Sequence, residues 1–269
     1  MKNKVVLITG ASSGLGKAIA DHLHAFGYIV YGTSRKQMTP PAGWNPLVMD
    51  VTDRESVNKA VAAVLEARGR IDVLINNAGF GLAGPAEFFT EEEMHQQLET
   101  NFFGMVRVCQ AVLPSMRQQK SGTIINFSSI GGIAGLPFQS FYSASKFAVE
   151  GFSEALMQEV RPFGIRVVVI EPGDFHTAFT DNRRPSSGTH TNGVYSDMFR
   201  KTSAIFESDE RNGCQPEKIA KAVARILRRK SPAFRYPVGK IDQLLFVVLR
   251  HILPGNLYLK ILASHYGLP

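Results

Sequence analysis

Apolar residues along this chain fall into two alternating rhythms. Short continuous runs read as buried strands: Lys4–Thr9, Tyr28–Ser34, Ile71–Asn76, Thr123–Phe127 and Ile165–Ile170. Stretches with helical spacing lie between them. Gly16–Phe26 sets Ile19, Leu23 and Phe26 near one face and stops at Gly27. Arg54–Arg68 has a cap at Thr52 or Asp53 and a stop at Gly69, while Glu91–Gln119 is mostly helix and Ser140–Pro162 is another. The strands are rich in Val, Ile and Leu without clean alternation, as strands buried on both faces are. Strands alternating with crossover helices predict a single α/β domain over residues 1–269. It is a Rossmann-type, doubly wound parallel sheet of about seven strands with helices on both faces.

The rhythm breaks after Pro172. Residues 173–213 are largely polar, as in Asp181-Asn-Arg-Arg-Pro-Ser-Ser-Gly188, and a stretch this long is a functional lid or is disordered. A helix follows from Pro216 to Arg229, then an edge strand at Phe234–Val238. Asp242–Leu253 is an apolar helix ended by Pro254-Gly255. The expected division is a cofactor-binding and catalytic core over 1–172, a substrate lid over 173–215, and a substrate or interface region over 216–269.

Composition narrows the partners. With 44% hydrophobic and 20% charged residues the chain is ordinarily globular. No window approaches the roughly 18 apolar residues of a spanning helix. The start is not expected to act as a signal peptide, because its apolar run covers only Val5 to Ile8 before a glycine turn. Cys109 and Cys214 are the two cysteines. They have no metal-ligand spacing and no disulfide framework, so no metal site is expected, and the pattern fits a reducing cytoplasm. The net charge of +7 is uneven: residues 200–269 hold 13 Lys/Arg against 5 Asp/Glu, and residues 1–199 hold 17 against 18. No groove-reading motif accompanies this basic tail, so nucleic acid is not an expected partner. A solvated face or a membrane-surface or anionic-ligand role both stand.

Two patterns carry chemistry. The first strand leads into Thr9-Gly10-Ala-Ser12-Ser13-Gly14-Leu15-Gly16 and then a helix. Glycines here allow a tight turn, close approach of pyrophosphate, and close helix–strand packing, with the phosphates at the helix N-terminus. The spacing G-x3-G-x-G departs from the commoner G-x-G-x-x-G. About 20 residues on, an NAD-binding fold places an acidic residue for the ribose 2′-hydroxyl. This chain has Gly32-Thr-Ser34-Arg35-Lys36 instead. Arg35 suits a 2′-phosphate, with Lys36 adding charge, so NADP(H) is the expected cofactor. The second pattern is Tyr142-Ser-Ala-Ser-Lys146, whose i, i+4 spacing puts both side chains on one helical face. An ammonium there stabilises phenolate and lowers a pKa normally near 10, making the tyrosine a general base or acid.

Together these motifs resemble those of the short-chain dehydrogenase/reductase family. Thr9–Gly16 is similar to its TGxxxGxG turn, Asp50-Val51 to its adenine-contacting position, and Asn76-Asn77-Ala78-Gly79 to its NNAG segment. Asn101 with Gly104 resembles its NxxG, Ser128-Ser129 its serine strand, Tyr142 and Lys146 its YxxxK, and Pro172-Gly173 its PG turn. The resemblance covers about residues 3–178. It implies roles: Tyr142 transfers a proton to or from the substrate oxygen, and Lys146 lowers its pKa and bonds the nicotinamide ribose. Ser129, preferred to Ser128, hydrogen-bonds that oxygen, and Asn101 completes a water-linked relay. Thr177 stands where the family has a cofactor-contacting threonine. A homodimer or homotetramer is implied too.

For the substrate, Leu136, Pro137, Phe138, Phe175, Phe179, Phe199 and Phe206 are candidate cavity walls, and core packing is the competing explanation for each. The helix 242–253 is apolar nearly all round, so it is expected to be buried or interfacial. It is too short to span a bilayer, and with Arg250, His251 and Lys260 nearby it suits peripheral membrane contact or a subunit interface. The tail loosely resembles those of hydroxysteroid- and retinol-type members. The expectation is an NADP(H)-dependent oxidoreductase that interconverts an alcohol and a carbonyl on a lipophilic small molecule. Two alternatives remain: a 3-oxoacyl thioester reductase and a non-catalytic NADP(H)-sensing regulator.

Overall fold

In the computed structural model, which describes residues 3–39, 43–190 and 193–269, the two rhythms become one seven-stranded sheet. In chain order the elements begin β1 (Val5–Ile8), α1 (Gly14–Ala25), β2 (Ile29–Ser34), β3 (Asn45–Val48), α2 (Arg54–Arg68), β4 (Val73–Asn76) and a short β5 (Leu82–Ala83). Then come α3 (Glu91–Leu98), α4 (Gly104–Gln118), β6 (Gly122–Phe127), α5 (Ser140–Val160), β7 (Ile165–Pro172) and a short β8 (Arg184–Pro185). The chain closes with α6 (Ser196–Arg211), α7 (Pro216–Arg228), β9 (Arg235–Val238), α8 (Ile241–Ile252) and α9 (Gly255–His265). The sheet order is β3-β2-β1-β4-β6-β7-β9, and every pairing is parallel.

Parallel strands need crossover helices, and these cover both faces. One core layer packs Ile19 and Leu23 of α1 and Val223 and Leu227 of α7 against the sheet. The other packs Val57 and Val61 of α2, Val108 and Val112 of α4, and Val149 of α5. A third, smaller cluster lies apart from the sheet. It joins Phe206 of α6 to Tyr258, Leu262 and Tyr266 at the C-terminus. The chain leaves β1 toward β2 on one side and reaches β4 on the other, so a crevice opens beyond the carboxyl ends of these two strands.

Four expectations need correction. The strand β3 has no visible apolar rhythm, because it is a half-buried edge strand containing Pro46. The segment 173–215 is neither one loop nor disordered throughout its described part. It contains α6, a polar helix that buries only Thr202 and Phe206 and so shows no stripe. Pro254-Gly255 ends α8 but also starts α9, with Pro254 as the N-cap. Finally, of the two alternatives for α8, buried or interfacial, burial does not hold: Val247 is its one buried residue.

Candidate functional site

The crevice starts at the turn after β1. Gly10 and Gly14 have φ of +67° and +54°, a conformation that costs other residues dearly. At Gly16 backbone freedom is not the issue. A Cβ there would lie 2.2 Å from the Gly10 carbonyl oxygen and 2.5 Å from Asn77 Nδ2. Asn77 explains the crowding: its Nδ2 donates to the carbonyls of Thr9 (3.0 Å) and Gly10 (2.9 Å). Thr9 Oγ1 in return accepts from the backbone N–H groups of Asn77 (3.0 Å) and Ala78 (2.9 Å). The Asn77-Ala78 backbone and the glycine turn therefore brace each other. The first turn of α1 has no acidic residue, and its N-cap, Ser13, makes no side-chain cap bond. A helix N-terminus left this way favours an anion.

Beside the turn, β2 ends at Ser34 and Arg35, both lining the crevice, with Arg35 exposed. Asp50 lines the next wall with Met49 and Val51, and its Oδ1 accepts from the Thr52 N–H (2.9 Å) and hydroxyl (2.7 Å). Thr177 closes the other side: a Cβ on Gly14 would sit 3.5 Å from Thr177 Cβ. Gly10, Ser12, Ser13, Gly14, Leu15, Asn77, Ala78, Gly79, Pro172 and Gly173 face the same space, a cleft of about 700 Å³. The cradle fits a dinucleotide. Its anion-seeking helix end, its missing Cβ atoms and a guanidinium at the end of β2 suit pyrophosphate and ribose.

The same cleft reaches Tyr142. Tyr142 and Lys146 stand one turn apart on α5, both buried, and Lys146 Nζ lies 5.8 Å from the phenol ring centroid. Lys146 Nζ donates to the Phe127 carbonyl (2.9 Å), which fixes it at the end of β6. Ser129 lies two residues beyond β6, and its hydroxyl accepts from the Gly131 N–H (3.0 Å). A Cβ on Gly131 would touch both partners, at 3.3 Å from Tyr142 Cε1 and 3.5 Å from Ser129 Oγ. Ser128 lines the cleft as well, but its buried Oγ lies 2.3 Å from the place of a Gly132 Cβ and has no partner.

Asn101 enters from a break in a helix. The predicted helix 91–119 is interrupted at Glu99–Phe103 by a single π-turn. Such turns insert one extra residue and often mark functional sites. Asn101 Nδ2 donates to the Phe80 carbonyl (3.0 Å) and to Ser145 Oγ (3.2 Å), and its Oδ1 accepts from the Phe80 N–H (3.0 Å). From a Cβ on Gly79, Asn101 Oδ1 would be 3.2 Å away and Lys146 Nζ 3.8 Å. The absence of that Cβ keeps the two side chains facing one space.

The electrostatics differ from the expectation. Lys146 was expected to acidify Tyr142. In the free protein, burial pushes the phenol up to about 12, and a hydrogen bond with Ser129 opposes this only in part. Burial also pushes Lys146 down to about 8, with Glu150 opposing. Desolvation outweighs the Ser129 hydrogen bond and the nearby Arg183 charge, and Glu210 and Asp174 push the phenol the same way as burial does.

Of the seven expected walls, Leu136, Phe175, Phe179 and Phe206 line the cleft. Phe138 and Phe199 pack on each other instead, ring centroids 5.4 Å apart, and Pro137 does not line it. Gln96, Asp174, Glu210 and Tyr266 were missed as lining residues. Glu210 is held by Thr180 Oγ1 (2.7 Å) and by Arg183, whose guanidinium lies 4.6 Å from the Phe206 ring centroid. Burial and the neighbouring Glu210 and Asp209 push Asp174 up to about 7. No sequence motif announces these residues: Asp174 and Glu210 come from the lid, Gln96 from α3 and Tyr266 from the end of α9, with no fixed spacing between them.

The family profile described as short chain dehydrogenase matches residues 4–188. The chain is a short-chain dehydrogenase. Like its relatives in the short-chain dehydrogenase/reductase family, it is an oxidoreductase. It is 51% identical over 268 residues to a 3-ketodihydrosphingosine reductase of Bacteroides thetaiotaomicron, covering 100% of both chains. To human 17-beta-hydroxysteroid dehydrogenase type 1 it is 37% identical over 259 residues, 88% of this chain and 77% of the other. A solved short-chain dehydrogenase from Streptomyces avermitilis superposes with TM-score 0.80 and 34% identity, over 98% of this chain and 97% of that one. Other solved chains of this fold hold NAD in one case and NADP in another.

Proposed function

We propose that this short-chain dehydrogenase is an NADP(H)-dependent reductase of a long-chain, lipophilic ketone, and that it works in the cytoplasm. The observation that carries this reading is that one cleft joins the glycine cradle to Tyr142 and ends among Phe179, Phe206 and Tyr266. The substrate class draws on the 3-ketodihydrosphingosine reductase, because that likeness extends through the lid and the C-terminal helices. The cofactor preference draws on Arg35 beside Ser34, with no carboxylate at the end of β2.

A bound nicotinamide supplies the hydride. The rest falls to this chain. Tyr142, protonated at neutral pH, gives its proton to the ketone oxygen as charge develops there. Ser129 donates a hydrogen bond to the same oxygen and holds the carbonyl in line. Lys146 orients the ribose and, while protonated, restrains the phenolate left behind. Asn101, held by the Phe80 backbone, would relay a proton through water toward Lys146.

Initial rates with NADPH and NADH on a long-chain ketone test this. The expected result is a preference for NADPH and turnover that falls about a thousandfold in Tyr142→Phe, with NADPH affinity within twofold of wild type. An NADH preference would overturn the reading of Arg35, and equal turnover by the variant would overturn that of Tyr142. For assembly, the exposed Phe103 and Phe147 beside α4 and α5 support a homodimer or homotetramer.

A further inference from the structure

The exposed apolar side chains of the C-terminus are not scattered. On α8, Ile241, Leu245, Val248 and Ile252 are exposed by 85%, 56%, 50% and 70%. Their spacing of four, three and four residues draws a single stripe along one side of the helix. The opposite side carries the packing: Phe246 and Leu249 join Tyr258 and Leu262 of α9 in the third core cluster. On α9, Leu257, Leu259 and Ile261 are exposed by 47%, 53% and 39%, with Leu257 and Ile261 one turn apart on the same side.

Cations flank this stripe. Lys218, Lys221 and Arg225 on α7 and Arg229 just past its end line a groove of about 370 Å³, and Leu244 of α8 lines the same groove. All four cations are exposed, and among the described residues none forms an ion pair with a carboxylate. Arg228 and Lys230 add exposed charge nearby. An apolar stripe beside cations that have no carboxylate partner is the composition of a helix that lies in a bilayer interface.

We propose that α8 and α9 dock the enzyme on an anionic lipid bilayer, with α7 supplying the electrostatic attraction. Among the described residues no helix is long and apolar enough to cross a membrane, so the mode is surface docking. A second copy fits the face less well. A two-fold interface would bring two sets of α7 cations to one rim, and Phe103 and Phe147 offer self-association a separate apolar face. Docking also places the cleft usefully. Phe206 and Tyr266 line the cleft and belong to the cluster packed behind α8 and α9. A lipid substrate would pass from the bilayer to Tyr142 along that cluster. This last point rests on the proposed substrate class, while the docking itself does not.

The test is cosedimentation of the purified enzyme with vesicles of phosphatidylglycerol and phosphatidylcholine, or of phosphatidylcholine alone. Wild type should bind the anionic vesicles, weakly at high salt, and ignore the neutral ones. Each α7 charge removed should lower the partition coefficient about fivefold, so Lys221→Ala/Arg225→Ala should lower it about 25-fold. Leu245→Glu/Val248→Glu should lower it at least as much. Turnover of a short, water-soluble ketone should stay at the wild-type rate in both variants, which certifies their fold. Absence of binding to anionic vesicles by wild type would overturn the proposal. So would Leu245→Glu/Val248→Glu splitting an oligomer in sedimentation velocity, since a second copy would then own the face. Vesicle binding by an enzyme that reduces no long-chain ketone would uphold the docking and defeat the proposed function instead.

Discussion

The two ends of the cleft are built by different means. At the cofactor end, backbone does the work: three glycines, two N–H groups on Thr9 Oγ1, and one asparagine bridging two carbonyls. At the substrate end, side chains do it: Phe179 lies 5.9 Å from Tyr142 between ring centroids, and Arg183 spans Phe179 and Phe206. A backbone site tolerates almost no substitution and so writes itself into the sequence at fixed spacing. A side-chain site accepts many residues of similar bulk. Changes at one end should therefore alter cofactor binding alone, and changes at the other substrate choice alone.

The sharpest break in this contrast comes from Gly16→Ala. Its Cβ would meet the Gly10 carbonyl oxygen and Asn77 Nδ2, neither free to move without opening the turn. NADPH affinity should fall about a hundredfold by titration calorimetry, while the variant stays folded by circular dichroism. An affinity within threefold of wild type would show that the turn yields. Next is Arg35→Ala. Losing one charge-assisted contact to a 2′-phosphate should raise KM for NADPH about tenfold to thirtyfold and leave KM for NADH unchanged. If both rise together, Arg35 serves the ribose and not the phosphate.

This contrast also explains what was legible in advance. The glycine turn, Asn77, Asn101, Ser129, Tyr142 and Lys146 were readable because their geometry demands one residue type each. All of them now surround a single cleft, except that Asn101 and Gly16 support it from behind. The sign of the Tyr142 shift was not readable, because it depends on how deeply the fold buries the phenol. Likewise β3 and α6 escaped notice: Asn-Pro-Leu-Val has an edge strand's weak pattern, and α6 buries two residues in sixteen. Glu210 and Asp174 reach the cleft through lid contacts that no local pattern records.

At the substrate end the largest effect should come from Phe179→Ala. Removing the ring takes apolar area from the wall next to Tyr142. A loss of about 1.4 kcal/mol would raise KM for a long-chain ketone about tenfold. KM for NADPH and kcat on a short ketone should hold steady in initial-rate assays. A change confined to the cofactor parameters would erase the distinction between the two ends.

The smallest effect tests whether the junction of the two ends stores charge. Asp174 directly follows the Pro172-Gly173 turn. Its backbone N–H donates to Gln243 Oε1 of α8 (3.2 Å), and its carbonyl accepts from the Cys214 N–H (2.8 Å). Its carboxyl is held up to about 7, first by burial and then by Glu210 and Asp209, against an ordinary value near 4. Because the folded value lies above the unfolded one, the folded state binds the extra proton between those two values. The contribution to stability is thus full below about pH 4 and is lost as pH rises through about 7. Asp174→Asn keeps a neutral group that can still accept from Gln243, so it should escape this loss. Allowing for solvent at the partly open cleft, the gain at pH 8 is on the order of 1 kcal/mol. That corresponds to a Tm about 2–4 °C above wild type at pH 8, with a much smaller difference at pH 5. Glu171, at the end of β7, is also held up to about 7 but lies 3.6 Å from Arg235, and it stays in both proteins as an internal reference. Equal Tm differences at the two pH values would mean that Asp174 acts through its hydrogen bonds and not its charge, and the junction would then belong with the backbone-built end.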